Sequence, residues 1–220
     1  MWLSFDAPSW HPVAVRIDVG GVCALTGAHE INALSADPQN YMVAPDQPWL
    51  DGIKSADGII RQFVAAPLGD GVTIEGQVTG AESNGGIQIT VVQPKPGRFP
   101  SERPHRAFVQ NEAYSLNDAV YSAQAPMAMG LGAGGRMVQK IYPDEYGIDT
   151  SDASTTTTVN IHLVAAERWR ELTGEEPPPS PVPIEAYVKK GLPWFKLSDE
   201  HLDDLPVQMV LAGVKPITFK

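Results

Sequence analysis

Residues 46–94 read DQPWLDGIKSADGIIRQFVAAPLGDGVTIEGQVTGAESNGGIQITVVQP and carry the longest run of strand-like patterning in the chain. Apolar and polar residues alternate over positions 72–79 and again over 87–91, which is the period of a half-buried strand. The sequence SNGG at 83–86 lies between the two runs. Because Asn and Gly tolerate the positive φ of tight turns, we predict a β-hairpin here. Residues 58–64 predict a further strand that precedes it.

Regular structure is also predicted on both sides of this stretch. Residues 12–19 alternate as a strand that ends at Gly20-Gly21. The residues at 165–173 favour a helix, and Gly174 follows at the position where helices commonly end. Further strands are predicted at 136–142, 159–164 and 207–214.

The frequency of turn residues favours many short elements over a few long helices, because the 220 residues include 20 Gly and 20 Pro. We therefore predict a mainly β fold, with a sandwich-like antiparallel core, one short C-terminal helix and an extended tail. Residues 1–174 form the predicted β-rich core domain. The proline-rich stretch 95–106 is either an excursion from the sheet or a subdomain break. Residues 175–220 form a proline-rich spacer and a packing tail.

Charge and cysteine content exclude several classes of partner and site. The formal net charge is -10, and acidic residues outnumber basic ones in both halves, so a nucleic-acid partner is not expected. The lone Cys23 allows neither an intrachain disulfide nor a zinc cluster of several cysteines. The start of the sequence lacks a secretory signal pattern, and no apolar run is long enough for a membrane span. We expect a cytoplasmic protein, with signal-independent export left open, and no cofactor.

A glycine-rich stretch at 130–135 formally satisfies the pattern G-x-G-x-x-G. A dinucleotide site needs a helix after that pattern, whereas the residues that follow alternate as a strand. We therefore predict a tight, flexible β-connection in which glycine lets backbones approach closely. If the connection is functional, Met127 and Met129 would give it an apolar contact surface.

Acidic residues cluster around the Tyr146-Gly147 turn, where carboxylates suited to Ca²⁺ lie close in sequence. The candidate ligands are Asp144, Glu145, Asp149 and Asp152. A solvated turn is the alternative explanation for this cluster. The five histidines are scattered and no G-x-S-x-G elbow is present, so no catalytic residue is predicted.

Two further segments predict interaction surfaces. Arg98, Arg103 and Arg106 form a basic patch, which is either an exposed proline-rich loop or a docking surface for an acidic partner. Behind the proline-rich spacer, a short apolar group predicts an arm that packs either on its own sheet or on a neighbouring subunit. Its residues are Leu192, Trp194 and Phe195.

Five short motifs are similar to those of a family of uncharacterised microbial proteins. They are PWLDG at 48–52, RQFV at 61–64, GGIQ at 85–88, MGLGAGGRM at 129–137 and GLPWF at 191–195. The resemblance covers most of the chain and implies one recurrent unit rather than a fusion. It implies no established activity, cofactor or catalytic residue.

The sequence favours a non-enzymatic binding or self-assembly protein, which uses its sheet surface and aromatic tail to bind a protein partner or further copies of itself. One alternative is a hydrolase-type enzyme whose site is assembled only in three dimensions. Another is a lectin-like sandwich that stacks a ligand on Trp49 or Trp194. A deep pocket that gathers His, Asp and Ser would favour the enzyme, and a large apolar patch would favour assembly.

Overall fold

The structure is a computed structural model that describes residues 1–29, 33–100, 102, 129–177 and 201–217. The strands in these ranges are β1 (Leu3–Ser4), β2 (Val13–Val19), β3 (Val22–Cys23), β4 (Met42–Ala44), β5 (Trp49–Leu50), β6 (Gly52–Ala56), β7 (Ile59–Pro67), β8 (Ile87–Val92), β9 (Met129–Val138) and β10 (Thr157–Ile161). The helices are α1 (Ile74–Thr79), α2 (Ala166–Thr173) and α3 (Met209–Ala212), together with single 3₁₀ turns at Ile148–Thr150 and Ala153–Thr155.

Within the described ranges, the strands form three antiparallel sheets. The first sheet has the order β10-β8-β2-β3, and β4 also pairs with β2. The second sheet has the order β6-β7-β9, and a two-stranded sheet joins β1 to β5. The predicted mainly β, sandwich-like antiparallel fold is confirmed. No helix in the described ranges is long and apolar enough to cross a membrane.

Local patterning placed several elements correctly. Strand β2 follows the predicted alternation, and the chain then reverses through Gly20 and Gly21, whose φ angles are 59° and 79°. This two-residue turn suits a hairpin that requires positive φ at both positions. Consequently Val22 pairs with Val19, and β3 runs back along β2. The predicted helix is also present as α2, with Gly174 in the left-handed conformation behind it.

The core lies where the apolar sides of the first and second sheets meet. The odd-numbered residues of β2 face it, whereas Arg16 and Asp18 lie on the opposite side. Among the core side chains with 2% exposure or less are Ile17, Val19, Ile53, Ile60, Ile74, Ile87 and Leu131. These positions come from six elements, so the packing that excludes water is almost entirely long-range in sequence.

The predicted strand at 72–79 is wrong, because this segment contains α1. The hydroxyl of Thr73 accepts a hydrogen bond from the backbone N–H of Gly76 at 3.0 Å, and Gly80 ends the helix with a φ of 79°. Ile74 and Val78 are four residues apart, a spacing that puts them on one helix face. The predicted hairpin therefore does not form, and β8 pairs with β2 and β10 instead.

The predicted flexible connection at 130–135 is also wrong, because these residues lie within β9. A Cβ added at Gly132 would lie 2.2 Å from Cδ1 of Ile217, and one added at Gly134 would lie 2.6 Å from Cγ2 of Val64. The close approach expected of these glycines is therefore present, but in a strand that has neighbours against both faces.

The predicted strand at 207–214 is wrong as well, since residues 209–212 form the short helix α3. Leu211 is fully buried, and Val214 is 3% exposed. So short an apolar pattern is compatible with a strand or with a helix. The helix forms here because it packs Leu211 against the core.

Candidate functional site

The edge strand β10 is the most exposed strand in the part of the chain that the structure describes. Residues 157–160 are all exposed, and Val159 keeps 56% of its surface accessible. The strand pairs with β8 on one side through Val159 and Ile89. On its other side, no described residue pairs with it. The sequence TTVNI contains neither charge nor proline, the residues that usually prevent an edge strand from pairing with another chain.

The outer edges of the second sheet are covered. The N–H of Ile217 donates to the carbonyl of Ala133 at 2.7 Å, so the C-terminal segment adds a parallel bridge beside β9. At the opposite edge, the N–H of Lys54 in β6 donates to the carbonyl of Ala24 at 3.1 Å. The chain therefore protects these edges and leaves β10 accessible.

An apolar strip extends from the core to the open edge on the core side of the first sheet. Ile17 is buried, its partner Ile89 on β8 is only partly buried, and Val159 is mostly exposed. Val91 and Ile161 border the same strip and are also partly buried. The exposure of these side chains increases from Ile17 towards Val159. The strip and β10 therefore present apolar side chains beside backbone groups that no described residue pairs with.

The opposite side of the first sheet carries polar groups on β10, β8 and the second half of β2, and a small apolar cluster around Ala14. The hydroxyl groups of Thr90 and Thr158 lie 2.9 Å apart across β8 and β10. Further in, Arg16 forms a buried ion pair with Asp18, whose nearest atoms are 2.7 Å apart. Burial raises the pKa of Asp18, although the hydrogen bond and the charge of Arg16 act to lower it. The polar groups on this side are thus satisfied within the chain.

The residues predicted for interaction have different positions. Arg98 is exposed, as a docking residue must be. Met129 begins β9, where its N–H donates to the carbonyl of Leu163 and its own carbonyl accepts from the N–H of Gly86. Its backbone therefore joins two parts of the fold. The remaining predicted residues lie outside the described ranges, namely Arg103, Arg106, Met127, Leu192, Trp194 and Phe195.

The described C-terminal residues 201–217 pack on the core of their own chain. Leu205, Leu211 and Val214 are buried there. The carboxylate of Asp204 accepts hydrogen bonds from the N–H groups of Gly58 and Ile141 and forms an ion pair with Lys54. The tail predicted at 175–220 was expected to pack on its own sheet or on a neighbouring subunit through residues 192–195, which lie outside the described ranges; its described part packs on its own core.

The acidic residues around Tyr146 take up separate positions. The carboxylate of Asp144 accepts a hydrogen bond from the hydroxyl of Tyr41 at 2.5 Å, and burial together with this carboxylate raises the pKa of Tyr41. Asp152 instead caps the second 3₁₀ turn, where hydrogen bonds from the hydroxyl and N–H of Ser154 lower its pKa. Glu145 and Asp149 are exposed. Among the described residues, no three His, Cys, Asp or Glu side chains are grouped to hold a metal ion.

A shallow groove lies beside Asp144 and has room for about 20 Å³, roughly one water molecule. The rings of Phe99 and Tyr146 border it and contact each other edge to face, with centroids 5.3 Å apart. No histidine lines it. The groove is therefore too small to enclose a substrate.

Trp49, the stacking candidate, is only partly exposed. Its carbonyl accepts hydrogen bonds from the side-chain amides of Gln47 and Gln139, both of which are buried. Its side chain donates a hydrogen bond to the carboxylate of Asp51. Burial raises the pKa of Asp51, although this hydrogen bond acts to lower it. Trp49 is thus fixed in place, and Trp194, the other stacking candidate, lies outside the described ranges.

Two carboxylates that the sequence analysis missed hold the loop between β7 and β8. Glu75 is buried and accepts hydrogen bonds from three successive N–H groups at 83–85. Glu82 accepts from the N–H groups of Gly69, Gly71 and Thr73 and from the Thr73 hydroxyl. The surrounding glycines predict a turn, but the sequence does not indicate which acidic side chain accepts hydrogen bonds from the N–H groups of that turn.

The chain matches no protein-family model, no curated protein and no solved structure.

Proposed function

We propose that this chain is a non-enzymatic self-assembly protein and that two copies associate through their β10 strands. The observation that carries the proposal is the exposed, uncharged outer edge of β10, which no described residue pairs with, whereas both edges of the second sheet are covered. An exposed edge strand offers a row of N–H and C=O groups that an identical strand can satisfy.

An antiparallel arrangement centred on Val159 is compatible with the side chains of β10. It would place Thr158 of one copy opposite Asn160 of the other, which gives a polar pair on the outer side. On the core side, the two copies of Val159 would meet and extend the apolar strip. Neither contact brings like charges together.

The edge alone is too small for a stable interface. A strand of five residues is roughly 17 Å long, whereas stable protein interfaces bury more than about 1,000 Å². The strip formed by Ile89, Val91, Val159 and Ile161 adds apolar area that becomes buried on pairing. We therefore expect association to depend on the strip as well as on the backbone hydrogen bonds.

The overall charge opposes association between copies, since each carries a formal net charge of -10. The uncharged β10 does not contribute to this repulsion. Added salt screens the remaining charges and is therefore expected to strengthen the dimer.

The test is the molar mass in solution, measured by light scattering behind a sizing column over a range of protein concentrations. Wild type is expected to approach the mass of a dimer as concentration rises, and Val159→Lys is expected to stay a monomer, because a lysine on the edge prevents pairing. Val138→Lys is the matched control, since Val138 is 45% exposed on β9. The proposal fails if wild type is a monomer throughout, or if Val159→Lys still dimerises.

A further inference from the structure

Two arginines lie directly opposite each other on neighbouring strands of the second sheet. Arg61 on β7 is the registered partner of Arg136 on β9. Opposed residues of an antiparallel pair project from the same face, with Cβ atoms about 5 Å apart. Like charges at that spacing destabilise the pair unless another group lies between them.

The two guanidinium groups lack a compensating partner in the described part of the chain. Neither forms a hydrogen bond or an ion pair with a described residue, and the buried Nε of Arg61 has no hydrogen-bond partner. Arg16, by contrast, is paired with Asp18 at 2.7 Å. The chain has 26 acidic and 16 basic residues, so acids to pair with are plentiful. Because no acidic residue in the described ranges pairs with Arg61 or Arg136, their positive charge is not compensated by that part of the chain.

The backbone beside the pair leaves space for a ligand. The register of β7 and β9 shifts between Arg61 and Phe63, where β9 bulges at Gly134 and Gly135. Gly135 is exposed, and a Cβ added there would meet no heavy atom within 4 Å. A bulge at such a position redirects the neighbouring side chains and keeps the approach to them open.

We propose that Arg61 and Arg136 form a binding site for an oxyanion, either a phosphate group or a carboxylate. A guanidinium group presents parallel N–H donors that match the oxygens of both. One anion between the two side chains removes their repulsion and gives the Nε of Arg61 an acceptor. The site lies on the second sheet and does not depend on the proposed pairing of β10.

Isothermal titration calorimetry with inorganic phosphate and with succinate tests the site at an ionic strength held constant with NaCl. Wild type is expected to bind at least one of the two anions, and the stronger binding identifies the oxyanion class. Arg61→Gln and Arg136→Gln are each expected to weaken binding about tenfold, the loss expected from removing one charge-assisted interaction. Arg170→Gln, which removes one arginine from an exposed position on α2, is the matched control and is expected to bind as wild type does.

Thermal unfolding provides a second readout that does not depend on heat of binding. In low salt without ligand, Arg136→Gln is expected to unfold at the same or a higher temperature than wild type, because one of the opposed charges is gone. At one ligand concentration, the anion that binds is expected to raise the melting temperature of wild type by more than that of Arg136→Gln. Because Arg136 is exposed, this variant carries the test even if Arg61→Gln does not fold. Equal binding by wild type and both variants, or no binding of either anion to wild type, would overturn the proposal.

Discussion

The ammonium nitrogen of Lys54 lies 2.5 Å from Oδ2 of Asp204, although 150 positions separate the two residues in sequence. The Lys54 side chain has no exposed surface, and that of Asp204 is 12% exposed. The same carboxylate accepts hydrogen bonds from the N–H groups of Gly58 and Ile141. Asp204 therefore fastens the C-terminal segment to the turn after β6 and to the chain that follows β9.

Replacing Asp204 by asparagine is expected to lower the free energy of unfolding by about 3–5 kcal/mol, the cost of leaving a buried charge without its counterion. The uncompensated charge is that of Lys54. Urea denaturation followed by tryptophan fluorescence measures the change.

The neighbouring exposed residue offers a matched control for this substitution. Asp203→Asn removes the same charge from a surface position and is expected to change stability by less than about 0.5 kcal/mol. Equal effects at positions 203 and 204 would show that the ion pair with Lys54 is not what holds the segment.

For the buried pair Arg16–Asp18, we predict that removing both charges together changes stability little. The Arg16 and Asp18 side chains are 2% and 11% exposed. Burial raises the pKa of Asp18 despite the arginine beside it, so desolvation outweighs the attraction. Each single change, Arg16→Met or Asp18→Leu, is expected to cost about 3 kcal/mol, whereas the double variant is expected to lie close to wild type.

A double-mutant cycle measured by chemical denaturation separates these effects. Losses of about 3 kcal/mol in each single variant and of about zero in the double variant correspond to a coupling energy of about 6 kcal/mol between the two positions. If the two single losses simply add in the double variant, the coupling energy is zero, the two residues do not act as a pair, and the desolvation argument is wrong.

The sequence predicted correctly those strands whose own residues determine their form. Residues 13–19 and 87–92 form strands as predicted, and β7 contains residues 59–64 of the strand predicted at 58–64. Alternation succeeds because one face of each strand packs on the main core, while the other face carries mostly polar side chains such as Arg16, Asp18 and Thr90. The end of α2 could also be predicted from local sequence, because a glycine in the left-handed conformation commonly ends a helix, as Gly174 does here.

The wrong predictions concern segments whose secondary structure depends on contacts with residues far away in sequence. At 72–79 the alternation was real, but the Thr73 cap and the packing of Ile74 in the core favour a helix. At 130–135 glycine suggests a loop, yet these residues form a strand because they pair with β7, and Ile217 and Val64 lie where side chains at 132 and 134 would be. Those neighbours are far away in sequence, so no local pattern indicates them.

The candidate sites depend on strand pairing, which the sequence did not provide. A strand near Val159 was predicted, but whether it forms an edge depends on the strands beside it. The opposition of Arg61 and Arg136 likewise follows from the register of β7 and β9. Of the features of these two candidate sites, only the lack of charge at 157–161 could be recognised from the sequence alone.

Glu82 predicts a dependence of stability on pH. Desolvation acts to raise the pKa of its carboxyl, but hydrogen bonds from the Thr73 hydroxyl and from the N–H groups of Gly71, Gly69 and Thr73 together lower it below 4.5. A lowered folded-state pKa adds stability above the unfolded value, and this stability is lost as pH falls through the folded pKa. Glu82→Gln is therefore expected to cost about 1 kcal/mol at neutral pH, since its carboxylate is partly screened by solvent.

Denaturation of wild type and Glu82→Gln at several pH values checks the sign. The difference in unfolding free energy is expected to shrink as pH falls below 4.5. Glu175→Gln, at an exposed position on the turn after α2, serves as the control and is expected to show little difference at any pH. A difference for Glu82→Gln that is constant with pH would contradict the role of its charge.

Gly52 and Gly135 form a matched pair of glycines for the last prediction. A Cβ at Gly52 would lie 1.8 Å from the carbonyl oxygen of Arg61, which is backbone and cannot rotate away, whereas a Cβ at Gly135 would meet nothing within 4 Å. Gly52→Ala is expected to cost about 3 kcal/mol or more, because β6 and β7 must separate to admit the methyl group. Gly135→Ala is expected to be neutral or to stabilise by up to about 1 kcal/mol, since alanine restricts the unfolded chain. Thermal and urea denaturation measure both, and equal stability of the two variants would show that the contact between β6 and β7 is looser than these distances require.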